Sequence, residues 1–168
     1  MNFPYLQTNN KEINTAYRLA IVTLAANILP FQNGILTRPE PVIIAGLGYS
    51  TPWTRDAAIN TWNAGALICP EISRSTLESV LTEKDGILRI GGEYWDAIIW
   101  VTGAWQLYLC TGDREFLAHA YRAAVNSLAI LKPRNLTPKR TFSAVRPPMA
   151  TASPPIPMSM PGTAPARS

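Results

Sequence analysis

Apolar residues recur at helical spacing in five stretches of the chain. The first stretch follows the i, i+3, i+4, i+7 spacing of an amphipathic helix, at Tyr17, Ala20, Ile21, Leu24, Ala25 and Ile28. Pro30 closes this pattern, because the residue before a proline avoids the α region. The spacing therefore predicts a first helix over Lys11–Ile28.

Four more helices are predicted downstream, over Thr54–Cys69, Pro70–Thr82, Tyr94–Cys110 and Asp113–Leu131. Asp56 places an acid in the first turn of the second helix, where the helix dipole favours negative charge. Pro70 suits the first helical position, and Gly112 followed by Asp113 combines a helix stop with a helix cap. The fourth helix is apolar nearly all round, which indicates burial on several sides.

The segments between these helices show no sustained alternation of apolar and polar residues. Pro30–Tyr49 is predicted to be a structured loop with a short extended piece at residues 42–45, and Glu83–Gly92 a charged loop. The predicted fold class is therefore all-α, built from helical hairpins. Three tryptophans that lie within apolar helix faces are predicted to be core residues, namely Trp62, Trp100 and Trp105.

Composition changes sharply near residue 132. Residues 1–132 carry 10 basic and 11 acidic side chains, whereas residues 133–168 carry 5 basic and no acidic ones, with 9 of the 15 prolines. This predicts a helical domain over residues 10–132 and a Pro-rich disordered tail over residues 133–168. The tail is either a genuine flexible segment or the product of a frameshift, since one shifted frame of residues 149–158 can spell a protein-like string.

Several classes of site are disfavoured by the sequence. Cys69 and Cys110 lack metal-site spacing and are interpreted as buried small hydrophobes. The sequence neither supports nor excludes a disulfide between them. The single His119 has no metal partner nearby in sequence, so no metal or cofactor is expected. The folded part carries no basic stripe for nucleic acid, and Leu19–Leu29 is too short to span a membrane. No signal peptide is recognised, so a cytoplasmic location is expected.

The densest chemical signal is the run 49–58, Tyr-Ser-Thr-Pro-Trp-Thr-Arg-Asp-Ala-Ala. It places aromatic rings, a guanidinium and a carboxylate at a loop-to-helix junction. Sugars need this combination, because aromatic faces stack on the C–H faces of pyranose rings while Arg and Asp donate to and accept from hydroxyls. The alternative interpretation is a helix cap with a local ion pair between Arg55 and Asp56.

This run resembles the Trp-x-Arg-Asp-Ala segment of six-hairpin glycosidases, which include glucoamylases, trehalases and glycogen-debranching enzymes. The runs 92–100, Gly-Glu-Tyr-Trp-Asp-Ala-Ile-Ile-Trp, and 108–117, Tyr-Leu-Cys-Thr-Gly-Asp-Arg-Glu-Phe-Leu, are similar to theirs as well. The resemblance covers residues 10–132 and implies part of an (α/α)6 toroid. It also implies a glycoside hydrolase function in carbohydrate metabolism, with an oligo- or polysaccharide as substrate.

The resemblance implies specific residues for the sugar pocket. Arg55 and Asp56 would hold hydroxyls, and Tyr49 and Trp53 would shape the same subsite. Trp95 and Asp96 would lie at the mouth of the next inner helix. Glycoside hydrolysis uses two carboxyl groups across the scissile bond, and the candidate acids of this chain are Asp56, Glu93 and Asp96.

Five helices cannot close a ring of six hairpins, which needs roughly 200 residues or more. We therefore expect a truncated glycosidase that is poorly soluble or partly molten, lacks the general acid and is inactive alone. The main alternative is a non-catalytic helical interaction module whose tail offers PxxP-type segments such as residues 154–157. A terpene cyclase would normally show an acidic metal-binding run, and the sequence has none.

Overall fold

The computed structural model describes residues 3–135, and there the chain is predominantly helical with two small sheets. The elements are α1 (Lys11–Ala26), β1 (Ile28–Phe31), β2 (Glu40–Ile43), α2 (Thr54–Asn60), α3 (Ala66–Ile68), α4 (Pro70–Glu78), β3 (Leu81–Lys84), β4 (Ile87–Ile90), α5 (Tyr94–Thr111) and α6 (Arg114–Asn135). A π-helical turn, Thr61–Gly65, joins α2 to α3. Helix α6 passes the predicted domain boundary at residue 132, and the rest of the predicted tail lies outside the described residues.

Two antiparallel hairpins are the main departure from the predicted all-α fold. Strand β1 pairs with β2, Ile28 opposite Ile43, and β3 pairs with β4, Leu81 opposite Ile90. Each strand has four residues, too few for alternation to stand out along the sequence. The predictions of helix through Ile28, of helix from 79 to 82 and of a loop over 83–92 were therefore wrong.

Two helix hydroxyls attach the hairpins to the helices. Thr76 Oγ1 in α4 accepts a hydrogen bond from the backbone N–H of Ile43 at 2.9 Å. Ser127 Oγ in α6 accepts one from the backbone N–H of Ile90 at 2.8 Å. Both hydroxyls also donate to a carbonyl of their own helix, so these buried polar groups are satisfied while they hold the hairpins in place.

The larger hydrophobic core lies between α4, α5 and α6 and includes the start of the β3–β4 hairpin. Its largest fully buried side chains are Trp100, Phe116, Leu77, Leu81 and Leu107. The Trp100 indole N–H donates to the Leu77 carbonyl at 3.1 Å, which satisfies a donor that burial would otherwise leave unpaired. The prediction of Trp100 as a core residue is confirmed.

The turn between α5 and α6 contains the predicted helix stop and helix cap. Gly112 has a left-handed φ of 68° and ends α5. Asp113 Oδ1 accepts hydrogen bonds from the backbone N–H groups of Glu115 and Phe116, both at 2.9 Å. Asp113 Oδ2 also pairs with Arg74 Nη1 at 2.8 Å, so this cap connects the start of α6 to α4.

Helices α2 and α5 run in the same direction and begin at the same end of the core. Thr54 at the start of α2 bonds Gly91, just before α5, and Ala58 further along α2 lies against Gly103 of α5. A Cβ at position 103 would come within 2.7 Å of the Ala58 Cα, so glycine permits this close approach. The shared direction places both helix N-termini beside each other.

One side of α5 is exposed although the helix is apolar nearly all round. Its exposed large side chains include Ile98, Val101, Trp105 and Leu109, and Trp105 retains 52% of its accessible surface. Trp62 of the π-helical turn is exposed as well, so the predictions of Trp62 and Trp105 as core residues were wrong. Cys69 is buried as predicted, whereas Cys110 is exposed, and neither forms a disulfide.

Candidate functional site

The N-terminus of α2 presents the first sequence motif at the surface. Trp53 is the cap residue, with an extended backbone and no capping bond from its side chain. Thr54 is buried, and its Oγ1 donates to the Gly91 carbonyl at 3.2 Å. Thr54 therefore anchors the start of α2 to the turn that leads into α5, and it leaves the flanking Trp53 and Arg55 to face outward.

The turn into α5 is equally constrained. Gly92 has a φ of +91°, a conformation that L side chains rarely adopt. A Cβ at this position would overlap the Asp96 carboxylate and lie 2.9 Å from Thr54 Oγ1. Asp96 Oδ2 accepts a hydrogen bond from the Glu93 backbone N–H at 2.8 Å, which satisfies a free donor at the helix N-terminus. Gly92 thus allows the Asp96 carboxylate to approach both the turn and α2.

The two motifs meet in an ion pair between α2 and α5. Arg55 Nη1 lies 2.6 Å from Asp96 Oδ1, and the two side chains retain 35% and 4% of their accessible surface. Both Asp96 oxygens are therefore engaged, one by the Glu93 backbone and one by Arg55. The local pair between Arg55 and Asp56 that the motif suggested does not form.

One aromatic ring lies beside this ion pair, and a second ring packs against the first. The Arg55 guanidinium carbon lies 5.9 Å from the centroid of the Trp53 ring, within the range of a cation–π contact. Tyr49 meets Trp53 edge to face, with ring centroids 6.5 Å apart. Trp53 still exposes 49% of its surface, and Tyr49 and Trp95 are also about half exposed. Apolar ring surface is therefore available next to a fixed guanidinium.

An open cleft of about 300 Å³ adjoins the ion pair. It is lined by residues 51–55, 80–82 and 91–93, together with Asn33 and Asp96. This volume is at the lower end of the roughly 300–1,000 Å³ typical of small-molecule sites. The cleft is walled by backbone, hydroxyl and aromatic groups, and its charged lining groups are Arg55, Glu93 and Asp96.

The three candidate acids occupy different environments. Asp96 is buried and committed to two partners. Glu93 lines the cleft, is exposed, and forms a capping box with Asp96 at the start of α5. Asp56 is half-buried in the first turn of α2 and is not among the residues that line the cleft. The structure thus brings together Tyr49, Trp53, Arg55 and Asp96, with Glu93 beside them, and leaves Asp56 outside the cleft lining.

Two residues that shape the site carry no chemical signal of their own in the sequence. Thr54 and Gly92 make the contacts that hold the motifs together, one through its buried hydroxyl and the other through its lack of a side chain. A glycine directly before a predicted helix was the available hint for Gly92. For Thr54 the hint was its position between an aromatic and an arginine at a helix start.

Comparison of the chain with protein-family models, with curated proteins and with solved structures gives no match in any of the three. The resemblance to six-hairpin glycosidases therefore remains a prediction that depends on the motifs. Among the residues that the structure describes, no group of three or more His, Cys, Asp or Glu side chains is placed to hold a metal ion. Across residues 3–135, no helix combines the length and the apolar character needed to cross a membrane.

Proposed function

We propose that this chain carries a sugar-binding site of the glycoside hydrolase type, formed by Trp53, Arg55 and Glu93 at the N-termini of α2 and α5. The observation that carries the proposal is the exposed Trp53 ring beside a guanidinium that Asp96 holds in place. A pyranose can stack its C–H face on Trp53, while the remaining N–H groups of Arg55 donate to its hydroxyls. The Glu93 carboxylate supplies an acceptor on the same cleft.

The arrangement of the helices supports an origin in an (α/α)6 toroid. In such a ring the inner helices run in one direction and begin at the mouth of the pocket. Helices α2 and α5 share a direction, and their N-termini flank the cleft. The uncharged exposed side of α5 suits a helix that packs against further hairpins. On this proposal the chain holds one sector of the ring.

We propose that hydrolysis needs carboxyl groups beyond those that the described residues supply. A glycosidase places an acid and a base or nucleophile on opposite sides of the bond. Asp96 has both oxygens engaged, Asp56 is not part of the cleft lining, and Glu93 caps α5 in a capping box with Asp96, so the described part of the cleft offers no pair of uncommitted carboxyl groups. The proposed activity of this chain is therefore sugar binding without turnover.

Sugar binding can be measured by titrating the 168-residue chain with methyl glycosides of glucose, galactose and mannose, following the Trp53 indole signal by NMR. Arg55→Ala is expected to abolish binding, because it removes the hydroxyl donors and the cation–π partner of Trp53. Arg38→Ala is the matched control, since Arg38 also pairs with a carboxylate but lies outside the cleft lining. Equal binding by both variants, or no binding by the unchanged chain, would contradict the proposal.

A second candidate function is a helical interaction module, favoured by the exposed apolar side of α5 around Trp105. Contiguous apolar surface on a domain commonly marks a binding face for another protein. Binding of a protein partner that survives Arg55→Ala, in the absence of sugar binding, would favour this function over the first.

A further inference from the structure

We infer that Asp96 is a specificity-determining residue, which makes the cleft take uncharged sugars and reject acidic ones. This inference rests on the proposed sugar-binding function and names the class of ligand for that same site. The carrying observation is the 2.6 Å ion pair between Arg55 and Asp96, in which Asp96 is almost fully buried. An arginine that faces a ligand cleft is ordinarily a receptor for carboxylate or phosphate groups. Here its charge is already matched by a protein carboxylate.

The charge balance of the cleft also favours uncharged sugars over acidic ones. Arg55 and Asp96 neutralise each other, and Glu93 is the remaining charged group in the lining. Asp56 adds a further negative charge one residue along α2 from Arg55. An acidic sugar would therefore meet net negative charge, because Asp96 already balances the charge of the guanidinium. A neutral sugar meets the free Arg55 N–H donors and the Glu93 acceptor without that repulsion.

Asparagine is the substitution that separates the charge of Asp96 from its structural role. The amide oxygen of Asn can still accept the hydrogen bond from the Glu93 backbone N–H, so the helix cap is retained. The amide NH2 group then faces Arg55 and cannot accept from it, which releases the guanidinium into the cleft. Asp96→Asn also keeps the size of the side chain that packs against Gly92. Unchanged far-UV and near-UV circular dichroism spectra would verify that the variant folds.

The experiment measures the affinity of the full chain for matched pairs of methyl glycosides, each neutral hexoside against its C6 uronic acid. The unchanged chain is expected to bind the neutral member more tightly. In Asp96→Asn the ratio is expected to shift toward the uronic acid by roughly tenfold, the difference between a charge-assisted and an ordinary hydrogen bond. The double variant with Arg55→Ala should lose that gain, because the gain depends on the released guanidinium.

A second variant keeps the inference testable if Asp96→Asn does not fold. Glu93→Gln changes an exposed side chain in the cleft, and it is expected to shift the ratio toward the uronic acid by a smaller factor. Preference of the unchanged chain for the uronic acid, or an unchanged ratio in a folded Asp96→Asn variant that still binds neutral sugar, would overturn the inference while the proposed function stands. Failure of the unchanged chain to bind any probe would refute the proposed function, and the inference would fall with it.

Discussion

The contact between Gly92 and the Asp96 carboxylate gives a stability prediction with a matched control in the same chain. Gly92 and Gly48 have almost the same φ, +91° and +92°, in the region that L side chains rarely adopt. A Cβ at Gly48 would meet nothing within 4 Å, whereas a Cβ at Gly92 would overlap Asp96 and press on Thr54. Alanine at the two positions therefore introduces similar backbone strain, and the difference between the variants isolates the packing around the ion pair.

The expected magnitudes follow from these contacts. Alanine in the left-handed region costs roughly 1–2 kcal/mol, and this term alone applies to Gly48→Ala. In Gly92→Ala the Asp96 carboxylate must also move, which weakens its bond from the Glu93 backbone and its pair with Arg55. Hydrogen bonds to charged groups contribute about 1.5–3 kcal/mol each, and the partial exposure of Arg55 reduces its share. We expect Gly92→Ala to cost about 2 kcal/mol more than Gly48→Ala.

Urea unfolding followed by circular dichroism measures both free energies of unfolding. A further variant places Gly92→Ala in a background that already carries Arg55→Ala and Asp96→Ala. In that background the ion pair is absent, so Gly92→Ala should lower the free energy of unfolding by less than it does in the unchanged chain. Equal losses for Gly92→Ala and Gly48→Ala would refute the reasoning, because they would mean that Asp96 does not lie against Gly92. A chain that shows no cooperative transition would instead agree with the expectation of a partly molten fragment.

Two further predictions concern groups away from the cleft. Burial raises the pKa of the Cys69 thiol, so a thiol reagent near neutral pH should label Cys110 rapidly and Cys69 only on unfolding, and Cys110→Ser should remove the fast phase. Hydrogen bonding from the Phe116 backbone N–H, with a contribution from Arg74, holds the pKa of Asp113 below its ordinary value. The stability that this carboxylate confers is therefore present above the unfolded pKa and is lost as the pH falls through the folded one. The difference in urea midpoint between the unchanged chain and Asp113→Asn should be constant from about pH 5 to pH 7 and shrink below about pH 4, and a difference independent of pH would contradict this cause.

The helices were predictable because their signals are local. Pro70 and the Gly112–Asp113 turn mark helix boundaries by backbone geometry alone, and the structure places boundaries there. The β3–β4 hairpin also had a local signal, the Asp85–Gly86 dipeptide, whose two residues adopt φ of 56° and 71° in the tight turn. The strands on either side have four residues each, too few for a visible alternation of apolar and polar positions. Trp62 and Trp105 were misassigned since apolar spacing alone does not tell which helix face finds a neighbour.

The two motifs of the candidate site could be found in the sequence, but the ion pair that joins them could not. The run from Trp53 to Asp56 and the run around Asp96 were both predicted to be pocket residues. Their pairing depends on two helices that are separated by residues 61–93 in the chain and brought together by the close approach of Gly103 to Ala58. The sequence neighbours Arg55 and Asp56 suggested a pair, but successive residues of a helix point in different directions. Asp96 therefore takes the partner role that adjacency had suggested for Asp56.

On the proposed function, the two partners of the Asp96 carboxylate suit it to sugar binding and not to hydrolysis. If Asp96 served as a general acid, its protonation would weaken the hydrogen bond to the Glu93 backbone and remove the charge that holds Arg55, so the act of catalysis would loosen the sugar site. A residue that must remain ionised to position a binding group is poorly suited to cycle a proton. Glu93 lines the cleft and caps α5 in a capping box with Asp96, and one carboxyl group cannot act on both sides of a glycosidic bond. On the proposed function, cleavage therefore requires a second carboxyl group from beyond the cleft that residues 3–135 form, whereas recognition of the sugar requires only Trp53, Arg55 and Glu93.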